Sequence, residues 1–200
     1  MILNYKDVTG AILAGGKNTR MGGKEKALLK VNGKEIITSI LEKYENLFEE
    51  ILIVTNETTK YNYQNKKIRV VSDKIKNTGP IGGIHSALSY STKEAVFVVA
   101  CDMPFINTEM IRKVIDYYKK NNFDAVVPKT GNNLEPMFSI YNKSSLKSLN
   151  SFISTNNFYI RKFLDKIKVG YLEIQENEFS KKNFTNINTP EDLESLNKKA

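Results

Sequence analysis

The stretch VTGAILAGG, residues 8–16, is a near-continuous apolar run that ends in paired glycines. Such a run reads as a strand buried on both faces, and the glycines read as a loop leaving its end. Downstream, EIITSILEKYENLF (35–48) sets Ile36, Ile37, Ile40, Leu41, Tyr44, Leu47 and Phe48 at helical spacing, which predicts one face packed inward. EILIVTN (50–56) returns to a strand pattern, and IRVVSD (68–73) is a third strand. TGPIGG (78–83) reads as a turn ahead of a helix in IHSALSY (84–90). AVFVVACD (95–102) carries no charge until its end, as a central strand should. Met110, Ile111, Val114, Ile115 and Tyr118 mark another amphipathic helix, and FDAVVP (123–128) another strand.

This alternation of strand and helix with short links predicts a mostly parallel sheet with helices on both faces. In the second half LEPMFSIY (134–141) reads as a strand, SSLKSL (144–149) and NFYIRKFLDKI (157–167) as helices, and VGYLEI (169–174) as a strand. INTPEDLESLNKK (187–199) opens a helix, with Thr189 at its cap, Pro190 in the first turn and Asp192 in the capping-box position. The expected fold class is α/β: a single-domain, three-layer α/β/α arrangement of Rossmann-like type. In such sheets ligands bind outside the carboxyl ends of the strands. Gly15-Gly16, Thr55-Asn56, Ser72-Asp73 and Cys101-Asp102 all fall at such ends.

A chain of 200 residues, 40% hydrophobic and 26% charged, is long enough to bury a core without disulfides or a structural metal. Its one cysteine cannot form an internal disulfide, which fits a reducing, cytoplasmic setting. MILNYKDVTG lacks the pattern of a signal peptide, and no apolar stretch reaches the ~20 residues of a membrane span. The net charge of +8 invites a nucleic-acid reading. However, the lysines are spread in ones and twos, such as Lys66-Lys67, Lys119-Lys120 and Lys181-Lys182, with no recognition motif. No nucleic acid and no membrane are therefore expected as partners, and a small anionic substrate suits the charge better.

LAGGKNTRMGGKEKALL (13–29) concentrates glycines with Lys17, Arg20, Lys24 and Lys26 directly after the first strand. Glycines let backbone N–H groups approach a phosphate, and the cations neutralise its oxygens. It is not a Walker A loop: Asn18 stands where the first glycine belongs and Glu25 where Ser or Thr should be. Nor does it contain the G-x-G-x-x-G of dinucleotide-binding folds.

The same segment resembles the LAGG-x-x-x-RMG-x-x-K signature of nucleotidyltransferases, and closely that of the molybdenum cofactor guanylyltransferase (MobA) family. The resemblance continues in order through GPIGGIHSAL (79–88), VVACDMPFI (98–106), EPMFSIY (135–141) and NINTPEDL (186–193), and is less clear over 142–183. It implies a nucleotidyltransferase fold, with a nucleotide-binding part at about 1–105 and an acceptor-binding part at about 106–200. It also implies transfer of GMP from GTP to molybdopterin or the molybdenum cofactor, with release of pyrophosphate. Leu13, Ala14, Gly15, Gly16, Lys26, Asn56, Asp73 and Asp102 are then the nucleotide-binding positions, and Arg20, Lys26 and Asp102 the catalytic ones. Asp102, joined by Asn188, is the implied ligand of a magnesium ion. Lys24-Glu25 fill a variable part of the loop, and Met103 stands where the family often has a smaller residue.

Gly15 favours guanine, because cytidylyl relatives carry LAAG. The alternatives are a molybdopterin cytidylyltransferase, a sugar-phosphate nucleotidyltransferase, or a non-catalytic nucleotide-binding module. Transient contact with cofactor-synthesis or acceptor proteins is a further expectation. An ionised acceptor phosphate needs no Ser, Cys or His nucleophile, so His85 and Cys101 are expected to be packing residues. Phe158, Tyr159 and Phe163 fall at helical spacing, which predicts a core stripe. Glu135, beside Pro136, either faces the second substrate or lies on the surface.

Overall fold

The computed structural model describes residues 5–16 and 25–198. In chain order these form β1 (Tyr5–Leu13), β2 (Lys30–Val31), β3 (Lys34–Glu35), α1 (Ile36–Glu45), β4 (Phe48–Val54), β5 (Ile68–Val71) and α2 (Pro80–Tyr90). There follow β6 (Ala95–Ala100), α3 (Thr108–Lys119), β7 (Ala125–Thr130), β8 (Asn133–Leu134) and β9 (Phe138–Asn142). The chain closes with α4 (Leu146–Ser154), α5 (Ile160–Leu164), β10 (Val169–Glu173), α6 (Glu178–Asn183) and α7 (Pro190–Lys198).

The main sheet runs β10-β7-β9-β6-β1-β4-β5, with β8 beside β7. β1 pairs in parallel with both β4 and β6, β4 with β5, and β7 with β10. β9 runs antiparallel between β6 and β7. The expected mostly parallel sheet in three layers is therefore the observed one.

The uninterrupted apolar runs follow from this architecture. Alternate residues of each central strand enter different cores. Ile51 and Ile53 of β4, with Phe97 and Val99 of β6, pack beneath α1 and α3. Leu52 and Val54, with Val96 and Val98, pack beneath α2, α4 and α5. Gly10 of β1 is required for contact rather than for backbone freedom. A Cβ there would stand 2.5 Å from Phe48 and 2.6 Å from Tyr44, so the rings rest directly on the strand.

Local reading fails at several boundaries. Residues 80–83 are not a turn, because α2 begins at Pro80 and takes in Gly82-Gly83. A Cβ on Gly82 would lie 2.0 Å from Thr78 Oγ1, and one on Gly83 3.0 Å from Leu13. These glycines seat the first helical turn against its neighbours, and only tertiary contact reveals it. The first helix stops at Glu45, and Phe48 opens β4. The 134–141 segment is interrupted where Glu135 N donates to Pro128 O and Phe138 N donates back to Glu135 O. Pro136, with no N–H to offer, sits inside that turn. Finally, α5 begins only at Ile160, so of the expected stripe Phe163 alone is buried. Phe158 is 38% and Tyr159 72% exposed.

Candidate functional site

The carboxyl ends of β1, β4, β5 and β6 open into a cleft of about 770 Å³. Its walls include Leu13, Ala14, Gly15, Gly16, Lys26, Asn56, Asp73, Asp102 and Asn188, so the described nucleotide-binding and metal candidates converge as the strand-end rule requires. Arg20, with Lys17 and Lys24, lies outside the described residues.

Backbone bonds continue past the strands to fix these walls. Cys101 N donates to Leu13 O at 3.1 Å, Ala14 N to Val54 O at 2.8 Å, and Thr55 N to Val71 O at 2.9 Å. Asp102 thus leaves β6 at the cleft floor while Cys101 stays buried. Burial, with the Asp102 charge beside it, pushes the Cys101 thiol well above its ordinary range, so it is inert packing.

Lys26 opens a short 3-10 turn, Lys26–Leu28, anchored by the fully buried Ala27. Its Nζ donates to Asp102 Oδ2 and to Asn188 Oδ1, each at 3.0 Å. The position of Asn188 is itself fixed by its neighbours. Ile187, fully buried, donates its N–H to Asp102 O at 2.9 Å. The N–H groups of Asn188 and Thr189 donate to Asp192 Oδ2 at 2.8 and 2.9 Å, while Asp192 N donates to Thr189 Oγ1 at 3.2 Å. This is the expected capping box, and its backbone bonds hold the Asp192 carboxyl below the usual carboxylate range.

On the β5 side, Asn56 Nδ2 donates to Asp73 Oδ2 at 3.1 Å. The other oxygen, Oδ1, is buried and has no partner among the described residues. Burial raises the Asp73 carboxyl, against the bond from Asn56. A Cβ on Gly15 would meet Asp73 Oδ2 at 3.5 Å, ordinary contact distance. Gly79 adopts a left-handed φ of 66° as it leads into α2, a conformation that suits glycine.

One contributor escaped sequence reading. Glu25 lines the cleft and is fixed by Tyr61 Oη, which donates to it at 3.2 Å, and by Lys60 Nζ at 3.6 Å. Glu135, expected either to face the second substrate or to lie on the surface, lines the cleft, and burial pushes its carboxyl up to about 7 against the opposing charge of Arg161. The adjacent proline interrupts the strand there and turns the residue aside. His85 packs within α2 with Nε2 2.7 Å from Asn150 Oδ1, as a packing role predicts.

Phosphate oxygens fit the charge of Lys26, and the paired oxygen donors of Asp102 and Asn188 already enclose a cation, the lysine ammonium. Two hard oxygen ligands are what magnesium commonly takes from protein, with phosphates and water completing its shell.

Residues 10–169 match the MobA-like NTP transferase domain. The chain is 36% identical over 198 residues, covering 96% of each chain, to a Natranaerobius thermophilus protein named "Probable molybdenum cofactor guanylyltransferase". It is 33% identical, again with 96% of each chain covered, to the molybdenum cofactor guanylyltransferase of Vibrio parahaemolyticus. Among solved structures, molybdopterin-guanine dinucleotide biosynthesis protein A of Archaeoglobus fulgidus superposes with a TM-score of 0.80 at 28% identity, covering 95% of this chain and 97% of that one. The 4-diphosphocytidyl-2C-methyl-D-erythritol synthase of Anaerococcus prevotii shares the fold, with a TM-score of 0.71 at 16% identity over 97% of this chain and 96% of that one.

Proposed function

The chain belongs to the MobA-like NTP transferase family, and from that premise we propose that it transfers GMP from GTP to the terminal phosphate of molybdopterin or its molybdenum form. An oxygen of the acceptor phosphate attacks the α-phosphorus of GTP as the bond to the β-phosphate oxygen breaks, and pyrophosphate leaves with that electron pair. The acceptor oxygen is already ionised, so the protein need only align the partners and neutralise developing charge.

The observation carrying this reading is the convergence of Lys26, Asp102 and Asn188 at the floor of a strand-end cleft. Lys26 presents its ammonium to phosphate oxygens, and Arg20 is assigned the same task. Asp102 and Asn188 would hold magnesium, which when bound neutralises charge on the α-phosphate and the departing pyrophosphate. Leu13, Ala14, Gly15 and Gly16 carry the nucleotide past the end of β1, and Asn56 and Asp73 orient its nucleoside portion. The nucleotide-binding part ends near residue 105, and the acceptor is received by residues beyond it. The enzyme is placed in the cytoplasm and passes its product on by transient contact with acceptor proteins. Among the described residues no helix is long and apolar enough to cross a membrane.

The names borne by the relatives favour guanine. The cytidylyl neighbour, at 16% identity, shares the fold alone. The test offers GTP, CTP and UTP labelled at the α-phosphate, each with molybdopterin and magnesium. Label from GTP should enter the dinucleotide product. Equal incorporation from CTP overturns the guanine assignment, and no incorporation from any of them overturns transferase activity.

A further inference from the structure

The order of strands in the sheet arranges the walls of the cleft. Asp73 follows β5 at one end, Gly15 and Asp102 follow β1 and β6 in the middle, and β9 lies on the far side of β6. Because β9 runs antiparallel, with Phe138 opposite Val99, its beginning faces the same edge as the carboxyl ends of the parallel strands. The turn that precedes it carries Glu135 into the cleft. Two carboxyl groups, Asp73 and Glu135, therefore flank the phosphate-binding centre on opposite sides.

A carboxylate is badly placed to meet phosphate, so Glu135 must face some other part of a substrate. Its backbone is engaged, Glu135 N with Pro128 O and its carbonyl with Ser139 Oγ and Phe138 N. Its carboxyl oxygens make no hydrogen bond or ion pair with other described residues, and Arg161 is the described cation whose charge reaches it. Such a group lacks a donor, and a partly buried one is destabilising until a donor arrives. Guanine and pterin both present a 2-amino-4-oxopyrimidine edge, a ring N–H beside an amino group. The two oxygens of a carboxylate complement that pair of donors. With the nucleoside assigned to the Asp73 side, the Glu135 side is left to the acceptor.

We infer that Glu135 is a specificity-determining residue that accepts hydrogen bonds from the ring N–H and 2-amino group of the acceptor's pterin. This rests on the reading of the acceptor as molybdopterin.

The experiment titrates the intact protein, by quenching of ligand fluorescence, with 6-hydroxymethylpterin and with 6-hydroxymethyllumazine, which has an oxo group in place of the 2-amino group. The wild-type protein should prefer the pterin by on the order of 10-fold or more. Glu135→Gln should lose that preference and weaken pterin binding by a similar factor while leaving GTP affinity unchanged. Glu135→Ala, which introduces no buried amide, should show the same loss. Equal wild-type affinity for the two rings overturns the inference, as does an unaltered preference in both variants or a parallel loss of GTP binding. GMP transfer to molybdopterin separates the two claims. A wild-type enzyme that transfers GMP, paired with a Glu135→Gln variant whose KM for molybdopterin is unchanged, overturns the role of Glu135 and leaves the function standing. A wild-type protein that transfers no GMP overturns the function itself.

Discussion

Lys26 Nζ and Asp102 Oδ2 stand 3.0 Å apart although 76 positions separate them in the chain. The same ammonium reaches Asn188, so one cation links the glycine-rich loop, the central strand and the last helix.

Removing either partner separates catalysis from folding. Both side chains remain partly exposed, at 17% and 22%, so their ion pair adds little stability. Lys26→Ala should lower kcat by on the order of 100-fold, more than it raises the KM for GTP. Asp102→Asn should abolish magnesium-dependent transfer with a normal Tm. A lowered Tm with activity surviving at low temperature would make Asp102 a capping residue instead.

Gly15→Ala tests the purine assignment. The methyl group meets Asp73 Oδ2 at 3.5 Å in the free protein, so Tm should not move. It covers the edge of the carboxyl assigned to the nucleoside, and GTP affinity should fall by on the order of 10-fold. Calorimetry that finds GTP binding unaltered refutes the contact.

Glu50 is a structural charge at the opposite end of the strands, buried at 7% exposure. Thr9 Oγ1, Thr92 N and Thr92 Oγ1 donate to Oε2, and Arg69 donates to Oε1 at 2.8 Å. Burial pulls the carboxyl up, but the bonds from Thr9 and Thr92, with Arg69, outweigh it and hold it below the ordinary range. The stabilisation is therefore present above the ordinary carboxylate pKa and lost as pH falls through the folded value. Glu50→Ala should cost about 3 kcal/mol near neutral pH by leaving those donors without an acceptor. In a domain of this length that is a fall in Tm of roughly 6–12 °C.

Glu135 carries the opposite sign. Its carboxyl is raised from about 4.5 to about 7, so between those values the folded state holds a proton that the unfolded state releases. Stability must fall as pH rises through that window. Glu135→Gln does not titrate, so its Tm relative to wild type should climb from pH 4.5 to 7 and then level off. A difference that does not vary with pH in calorimetric scans contradicts this.

Much of this molecule is legible in order along the chain. Strands such as 95–100 are apolar at every position because both faces are covered, and Thr189 with Asp192 announces its helix through local bonds alone. Asp73 and Asp102 are legible because strand ends converge by rule, and Lys26 because it closes a segment rich in glycine and cations. What stays hidden depends on packing contacts and on where an element starts. Gly82-Gly83 look like a turn until Thr78 and Leu13 are seen pressed against them. Phe158 and Tyr159 keep a helical spacing in a stretch that is not yet helix. Glu25 acquires its place from Tyr61, and nothing local to either residue records that contact.

The seating of Asn188 by Asp102 and by the cap of α7 also imposes an order in time. A ribosome delivers the loop, Lys26 and Asp102 well before it delivers residue 188. The growing chain therefore holds Lys26 and Asp102 while the third arm is still missing, and the seat of that arm waits for α7 to wind. A protein clipped before Pro190 should therefore lose transfer even with its sheet complete, because Asn188 is then without the Asp192 cap that seats it.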